Sequence, residues 1–397
     1  MEQKGYIPNN IKISTIHTFL LNEIIYPYSS YILNKKINKA SSVSLPNDIK
    51  TRNSKMSQLE KQGIVHNEKV FNMAKQILVG NKQQTKKEKD RRSLIINHFI
   101  ASIDSIYIDE AQDLDNDIID IIKLIALNNV YIYMVGDPKQ ALRNTKVFLD
   151  FVDEVKNEKI TNMQMLPNNN TTRRLPKEIV KITNLYCMDD QQQNSISDIK
   201  GNISYIYVED NDFEKIFDDI KNKKGLIYTR KKEGEFNTKK EKNIMTSELK
   251  RILLEKKEEK DDEDAFLYEK EKELENILNN NKNLKSSFLD KYEIRLPRDE
   301  FYNLLNQNDT ITKYKVESID KVKGLENENC MFIVNDSMLK YLLKKNIERN
   351  KELNYLYVAL TRTKCNLILG IYTKEDKLVI DSQLQKLGIY KYKKINE

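Results

Sequence analysis

Two short apolar runs, separated by one segment with helical spacing, limit this chain's fold more than any other part of it. Ile103, Ile106, Tyr107 and Ile108 read as a buried strand, and Val130-Tyr131-Ile132-Tyr133-Met134-Val135 as a second. Between them Leu114, Ile118, Ile121, Ile122 and Ile125 recur with the period of one helix face. A strand, a helix and a strand in this order predict a parallel pair joined by a right-handed crossover, with both strand ends on one edge. Polar residues follow each run: Asp109-Glu110-Ala111-Gln112 after the first and Gly136-Asp137-Pro138-Lys139-Gln140 after the second. Ligands of open α/β sheets bind at that carboxyl edge.

An Asp followed by a Glu at such an edge offers a group to hold magnesium and a base for water, the needs of nucleoside triphosphate hydrolysis. The crossover sets Gln140 where it can reach the same phosphate as Glu110. The acidic residues also suit a plainer task, because Asp113 or Asp115 leads into the helical segment and can cap it. Both readings stand together.

With these residues the chain resembles motifs II and III of the UvrD/Rep-like superfamily 1 DNA helicases. The resemblance implies that Asp109 binds magnesium, Glu110 activates water and Gln140 senses the γ-phosphate of ATP. Ser14-Thr15-Ile16-His17-Thr18-Phe19 is similar to motif Ib, which implies phosphate contacts to single-stranded DNA from Thr15, His17 and Thr18. By itself His17, beside apolar residues, reads as a satisfied core histidine. Arg173-Arg174-Leu175-Pro176 resembles motif IV, with Arg174 as a γ-phosphate contact and Arg173 in the place of an adenine-stacking Tyr; a planar guanidinium can stack as well. Gly225 to Arg230 looks like a later strand of the second lobe, with Arg230 as a nucleotide contact.

Ser318-Ile319-Asp320-Lys321-Val322-Lys323-Gly324-Leu325-Glu326 resembles motif V. It implies that the Gly324 backbone approaches the nucleotide, that Glu326 binds its ribose and that Ser318 touches DNA. Tyr355 to Lys364, with Val358-Ala359-Leu360-Thr361-Arg362, resembles motif VI and makes Arg362 the cationic finger on the transferring phosphate. Where the family has aromatic residues after its motif III Gln, this chain has Arg143 and Thr145, which implies an altered DNA track with Arg143 upon it.

One element of the pattern is missing from these 397 residues. None of the ten glycines is followed by Lys and no two lie five apart, so no G-x-x-x-x-G-K loop followed by Ser or Thr exists in the sequence. Such a loop supplies the backbone amides and the Lys that hold the β- and γ-phosphates. In the family it precedes motif Ib, which here begins near Thr15, so the first lobe is expected to be incomplete, with unpaired strand edges. Three origins fit: a second polypeptide carries the loop, the start codon is misassigned or the gene broken, or the chain is a noncatalytic partner.

Composition permits this reading without dictating it. The chain is long enough for two or three domains. Its 67 Lys plus Arg against 60 Asp plus Glu leave a net charge of +7, which allows a polyanionic partner. Cys187, Cys330 and Cys365 are scattered and form no ligand cluster with His17, His66 or His98. The polar amino terminus lacks a signal-peptide core and no run is long enough to span a bilayer, so an intracellular location without membrane is expected.

The expected architecture is α/β, with two RecA-like parallel-sheet lobes of the P-loop NTPase fold and helical insertions. Residues 1–21 and 99–168 make a partial first lobe, and 22–98 an insertion resembling the 1B subdomain. Residues 169–230 and 309–397 make the second lobe, and 231–308 a charged helical insertion in place of 2B. The basic run from Lys82 to Arg92 suits either a DNA backbone or a solvated helix face. Tyr390-Lys391-Tyr392-Lys393-Lys394 reads as a frayed terminus, although such interleaving also suits stacking on single strands. The resemblance implies an ATP- and Mg2+-dependent DNA helicase or translocase, moving 3′ to 5′ on single-stranded or partly duplex DNA. ATP would sit between Asp109, Glu110 and Gln140 on one side and Arg174, Glu326 and Arg362 on the other. A noncatalytic DNA-binding or assembly subunit derived from a helicase is the alternative.

Overall fold

The computed structural model describes residue 8 and residues 10–393, except 44, 47, 82, 158, 161, 188–190, 232–233, 239–244, 258–262, 280–282, 298–300, 302–313 and 345–349. The chain is mixed α/β with parallel sheets, and it divides into two compact units, Met1–Asn169 and Asn170–Glu397. Among the described residues no helix is long and apolar enough to cross a membrane.

The first unit opens with helices Ile16–Leu20 and Tyr26–Leu33, joined by a π-helical turn at Leu21–Ile25. A small parallel pair, β1 (Lys39–Ser41) and β2 (Ile64–His66), flanks the helix Ile49–Lys61. Next come helices Val70–Leu78 and Lys86–Ile100, the second begun by a Thr85–Glu88 capping box that ties down two amino-terminal N–H groups. The strand-helix-strand segment follows as β3 (Ser105–Ile108), the helix Asn116–Leu127 and β4 (Tyr131–Met134). Asp115 caps that helix by accepting the Ile118 N–H at 3.0 Å. Leu20, Ile24, Ile25, Val70, Met73, Ile77, Ile95 and Phe99 share one core with Ile118, Ile121, Ile122 and Ile125, so segment 22–98 packs into the same body as the strands.

β3 and β4 run parallel with Ser105 opposite Tyr131 and Ile108 opposite Met134. Among the described residues they pair only with each other. Ile106, Ile108, Ile132 and Met134 face the core. Tyr107, Tyr131 and Tyr133 point the other way and are 71%, 59% and 38% exposed. Their ring centroids lie 6.3 and 6.1 Å apart. The apolar runs therefore differ from the expected strands buried on both faces: side chains alternate in period two, and only one face of this sheet carries a layer of the core.

The second unit begins with the short parallel pair β5 (Thr171–Thr172) and β6 (Asn194–Ser195). Its main strands are β7 (Asn202–Tyr207) and β8 (Leu226–Thr229), with β9 (Phe236–Asn237) and β10 (Tyr314–Lys315) forming a side pair. β11 (Glu317–Ser318), β12 (Asn327–Asn335), β13 (Thr363–Tyr372) and β14 (Tyr390–Lys391) complete a six-stranded parallel sheet in the order β11-β8-β12-β13-β7-β14. Cys330 to Val334 in β12 are all buried, as a central parallel strand requires. One face packs Met331, Ile333 and Ile368 against Phe213, Phe217 and Tyr314. On the other, Tyr228 donates to the Ala359 carbonyl at 2.6 Å, while Tyr205 and Tyr207 donate to Asp381 at 2.8 and 2.7 Å. Tyr390 and Lys391 pair with Ser204 and Tyr205, so these two residues form an edge strand and not a frayed end; Lys394 lies outside the described residues.

Within 231–308 the helices Ser247–Leu254 and Glu263–Asn279 and the helical turn Lys285–Leu289 build a small core of their own from Leu249, Leu253, Leu274, Ile277 and Phe288. Part of the charge run at 256–264 lies outside the described residues.

Candidate active site

At the carboxyl end of β3 the chain turns sharply. Glu110 adopts a left-handed backbone, φ 55°, unusual for a side chain with a Cβ. The Asp109 carboxylate accepts the Glu110 N–H through Oδ1 at 2.8 Å, which steadies that turn. Ala111 N–H then donates to the Val135 carbonyl at 2.9 Å and ties the corner to the end of β4. There Asp137 accepts the Lys139 N–H at 3.0 Å and the Gln140 side-chain amide at 3.1 Å. Lys139 Nζ stands 3.3 Å from the same carboxylate. Asp109, Glu110 and Gln140 are thus gathered on one edge of one sheet.

Gln112 joins the two halves. Its side chain is 1% exposed, its Nε2 donates to Glu110 Oε2 at 2.7 Å, and its Oε1 accepts the Asp137 N–H at 3.0 Å. A Cβ added at Gly136 would lie 2.9 Å from Gln112 Oε1 and 3.0 Å from its backbone nitrogen, so only glycine permits this approach. Gln112 stands in the tetrapeptide that follows the first apolar run, but its contact with Asp137 spans 25 residues and leaves no local sequence signal.

Thr15 caps the first helix, accepting the Thr18 N–H at 3.3 Å, and the two hydroxyls are 3.0 Å apart. The His17 ring lies 4.4 Å from that of Phe71. Burial and then the charge of Arg143 lower its pKa from the ordinary 6.5, against a smaller opposing pull from Asp115. His17 and Arg143 are therefore electrostatic neighbours in the first unit.

The second unit collects its candidates at two separate ends of the sheet. At the amino end of β12 and β13, Glu326 lies between Arg174 at 3.4 Å and Lys364 at 2.6 Å. Burial alone would raise the Glu326 pKa, but Lys364 and Arg174 outweigh it and hold the carboxyl below its usual range. Arg362 is also at this end but turned inward: it is 1% exposed, with Nε donating to the Val358 carbonyl at 3.0 Å and Nη1 to that of Leu325 at 3.3 Å. Gly324 has φ +82°, a left-handed turn that favours glycine, with open space around its Cα. Arg173 is exposed and makes no ion pair with the described residues.

At the carboxyl end, Arg230 makes a bidentate pair with Glu352 at 2.8 and 2.9 Å and stacks 3.4 Å from the Tyr355 ring. Tyr355 in turn donates to Asp320 at 2.7 Å, close to Ser318 at the end of β11. Arg230 follows Thr229, which pairs with Ile333, whereas Glu326 precedes Asn327. The two ends are separated by roughly 25 Å of strand, so Arg230 is not brought to Glu326 and Arg362. Lys364 joins the amino-end group without any sequence sign of its pairing with Glu326.

The residues present suit Mg2+ in one manner only. Among the described residues no group of three or more His, Cys, Asp or Glu could hold a metal by itself. Asp109 is exposed and uses one carboxylate oxygen for the Glu110 N–H, which matches an ion held by one carboxylate together with substrate phosphates and water.

No curated protein matches the chain. Residues 83–144, which hold Asp109, Glu110, Gln112 and Gln140, match the UvrD/REP helicase N-terminal domain family. Through that segment the chain is related to UvrD-like helicases.

Proposed function

We propose that this chain is an ATP-dependent DNA helicase or single-stranded DNA translocase of UvrD/Rep type, moving 3′ to 5′, or the motif Ib to VI part of a split one. The observation that carries the reading is the corner itself: Asp109 and Glu110 leave β3 beside the turn that presents Gln140 after β4, inside the matched segment. Glu110 orients and deprotonates the attacking water, and Gln140 reads the γ-phosphate. Asp109 would hold Mg2+, which when bound neutralises charge on the phosphate oxygens. Arg174, Glu326, Gly324 and Arg362 of the second unit are the further nucleotide contacts, and Thr15, His17, Thr18, Arg143 and Ser318 the DNA contacts.

The phosphate-holding loop, absent from these 397 residues, would in this proposal come from outside them, together with a strand beside β3 and β4. Support comes from β3 and β4 pairing only with each other among the described residues, and from the exposed face made by Tyr107, Tyr131 and Tyr133. Parallel sheets are ordinarily covered on both faces, and two strands alone are marginal. DNA-stimulated ATP turnover that disappears in Glu110→Gln tests the catalytic assignment. Turnover unchanged in that variant would refute it.

A second reading, a noncatalytic DNA-binding or assembly subunit, is favoured by one observation. The Arg362 guanidinium serves backbone carbonyls of its own unit and is buried. Nucleotide-independent DNA binding, with no turnover under any pairing, is its expected outcome.

A further inference from the structure

We propose that Gln112 is a positioning residue that couples the Glu110 carboxylate to the turn bearing Gln140. This rests on the hydrolytic reading above and assigns a part to a buried side chain lying between the two turns. Its amide is used at both ends, donating to Glu110 Oε2 at 2.7 Å and accepting from Asp137 N–H at 3.0 Å, and it is 1% exposed. Asp137 in turn accepts from the Gln140 side chain at 3.1 Å, so a continuous chain of hydrogen bonds runs Glu110–Gln112–Asp137–Gln140. The corner needs such support. Glu110 sits in a left-handed backbone that a side chain adopts only when its surroundings over-determine it. Gly136 leaves room for the amide at a distance no Cβ would tolerate.

The coupling has a consequence for the reaction. A base that activates water and an amide that reads the γ-phosphate lie on turns after different strands, and the Gln112 amide makes them shift together. A residue that only filled space would keep the fold without passing a change from one turn to the other.

Two variants of the full chain divide the amide's two tasks. Gln112→Glu keeps an oxygen for the Asp137 N–H but loses the donor to Glu110, and Gln112→Ala loses both. Amide hydrogen exchange read at single residues should show Asp137 N–H exchanging about tenfold faster in Gln112→Ala, the loss of one hydrogen bond, while Ala111 N–H keeps its protection. Glu110→Ala, which removes the acceptor, should alter Asp137 exchange in the wild-type background and leave it unaltered in the Gln112→Ala background. Equal effects of Glu110→Ala in both backgrounds, or Asp137 exchange indifferent to Gln112→Ala, would overturn the coupling. In a preparation that turns over ATP, Gln112→Glu should lower kcat about tenfold with KM nearly unchanged; wild-type kcat there makes Gln112 merely structural and also overturns the proposal. The exchange results decide the coupling without turnover, and a lack of Glu110-dependent turnover counts against the hydrolytic reading alone.

Discussion

Two side chains show most plainly how local chemistry and function meet. His17 is held neutral by burial and by Arg143, so its folded pKa lies below the unfolded value of 6.5. A depressed histidine contributes stability that is complete above the unfolded pKa and is lost as pH falls through the folded one. Denaturant midpoints should therefore drop between about pH 7.5 and pH 5 in the wild type, and His17→Asn should flatten that slope. An unchanged slope would place the titration elsewhere. Arg362 makes a different case. Its role by resemblance needs a phosphate, while in its own unit it satisfies the Val358 and Leu325 carbonyls. Arg362→Ala should cut ATP turnover about a thousandfold. It should also lower the unfolding free energy by about 1–3 kcal/mol, because buried carbonyls lose their donor. A stability loss with full turnover would leave Arg362 structural.

The elements divide by how much of their reason is local. β3, the helix Asn116–Leu127 and β4 are legible in the sequence because apolar spacing, the Asp115 cap and the polar edge agree. The parallel α/β character follows from the same segment. The uncovered face of β3 and β4 was not legible, since Tyr107, Tyr131 and Tyr133 extend an apolar run whether or not a layer covers them. β14 escaped notice for another reason: two residues of tyrosine and lysine carry no period, and their place depends on the far-off edge of β7. Of the candidate site, Asp109, Glu110 and Gln140 announce themselves by position after strands. The pairings of Gln112 with Asp137 and of Lys364 with Glu326 do not, because those partners are remote in sequence. The close approach of the two turns predicts that Gly136→Ala destabilises the first unit by about 1–3 kcal/mol, the cost of overpacking, as read from its denaturant midpoint. A change near zero would mean that the turns have room to part.

At the scale of the whole molecule, the chain carries two sets of candidate residues on two compact units and no phosphate-holding loop within its 397 residues. Among the described residues, the first unit offers carboxylates and an amide on a two-stranded sheet, and the second offers Arg174, Lys364 and Glu326 at the amino end of a six-stranded one. Such a division predicts a catalyst that depends on something added to the first unit. The most direct test is Mg2+-dependent, DNA-stimulated ATP turnover by the purified chain. It is measured alone and with a polypeptide bearing a strand followed by G-x-x-x-x-G-K and Ser or Thr, each time beside Glu110→Gln. The account predicts no turnover by the chain alone and, with the added polypeptide, turnover that Glu110→Gln abolishes. Glu110-dependent turnover by the chain alone, or combined turnover that survives Glu110→Gln, would contradict it.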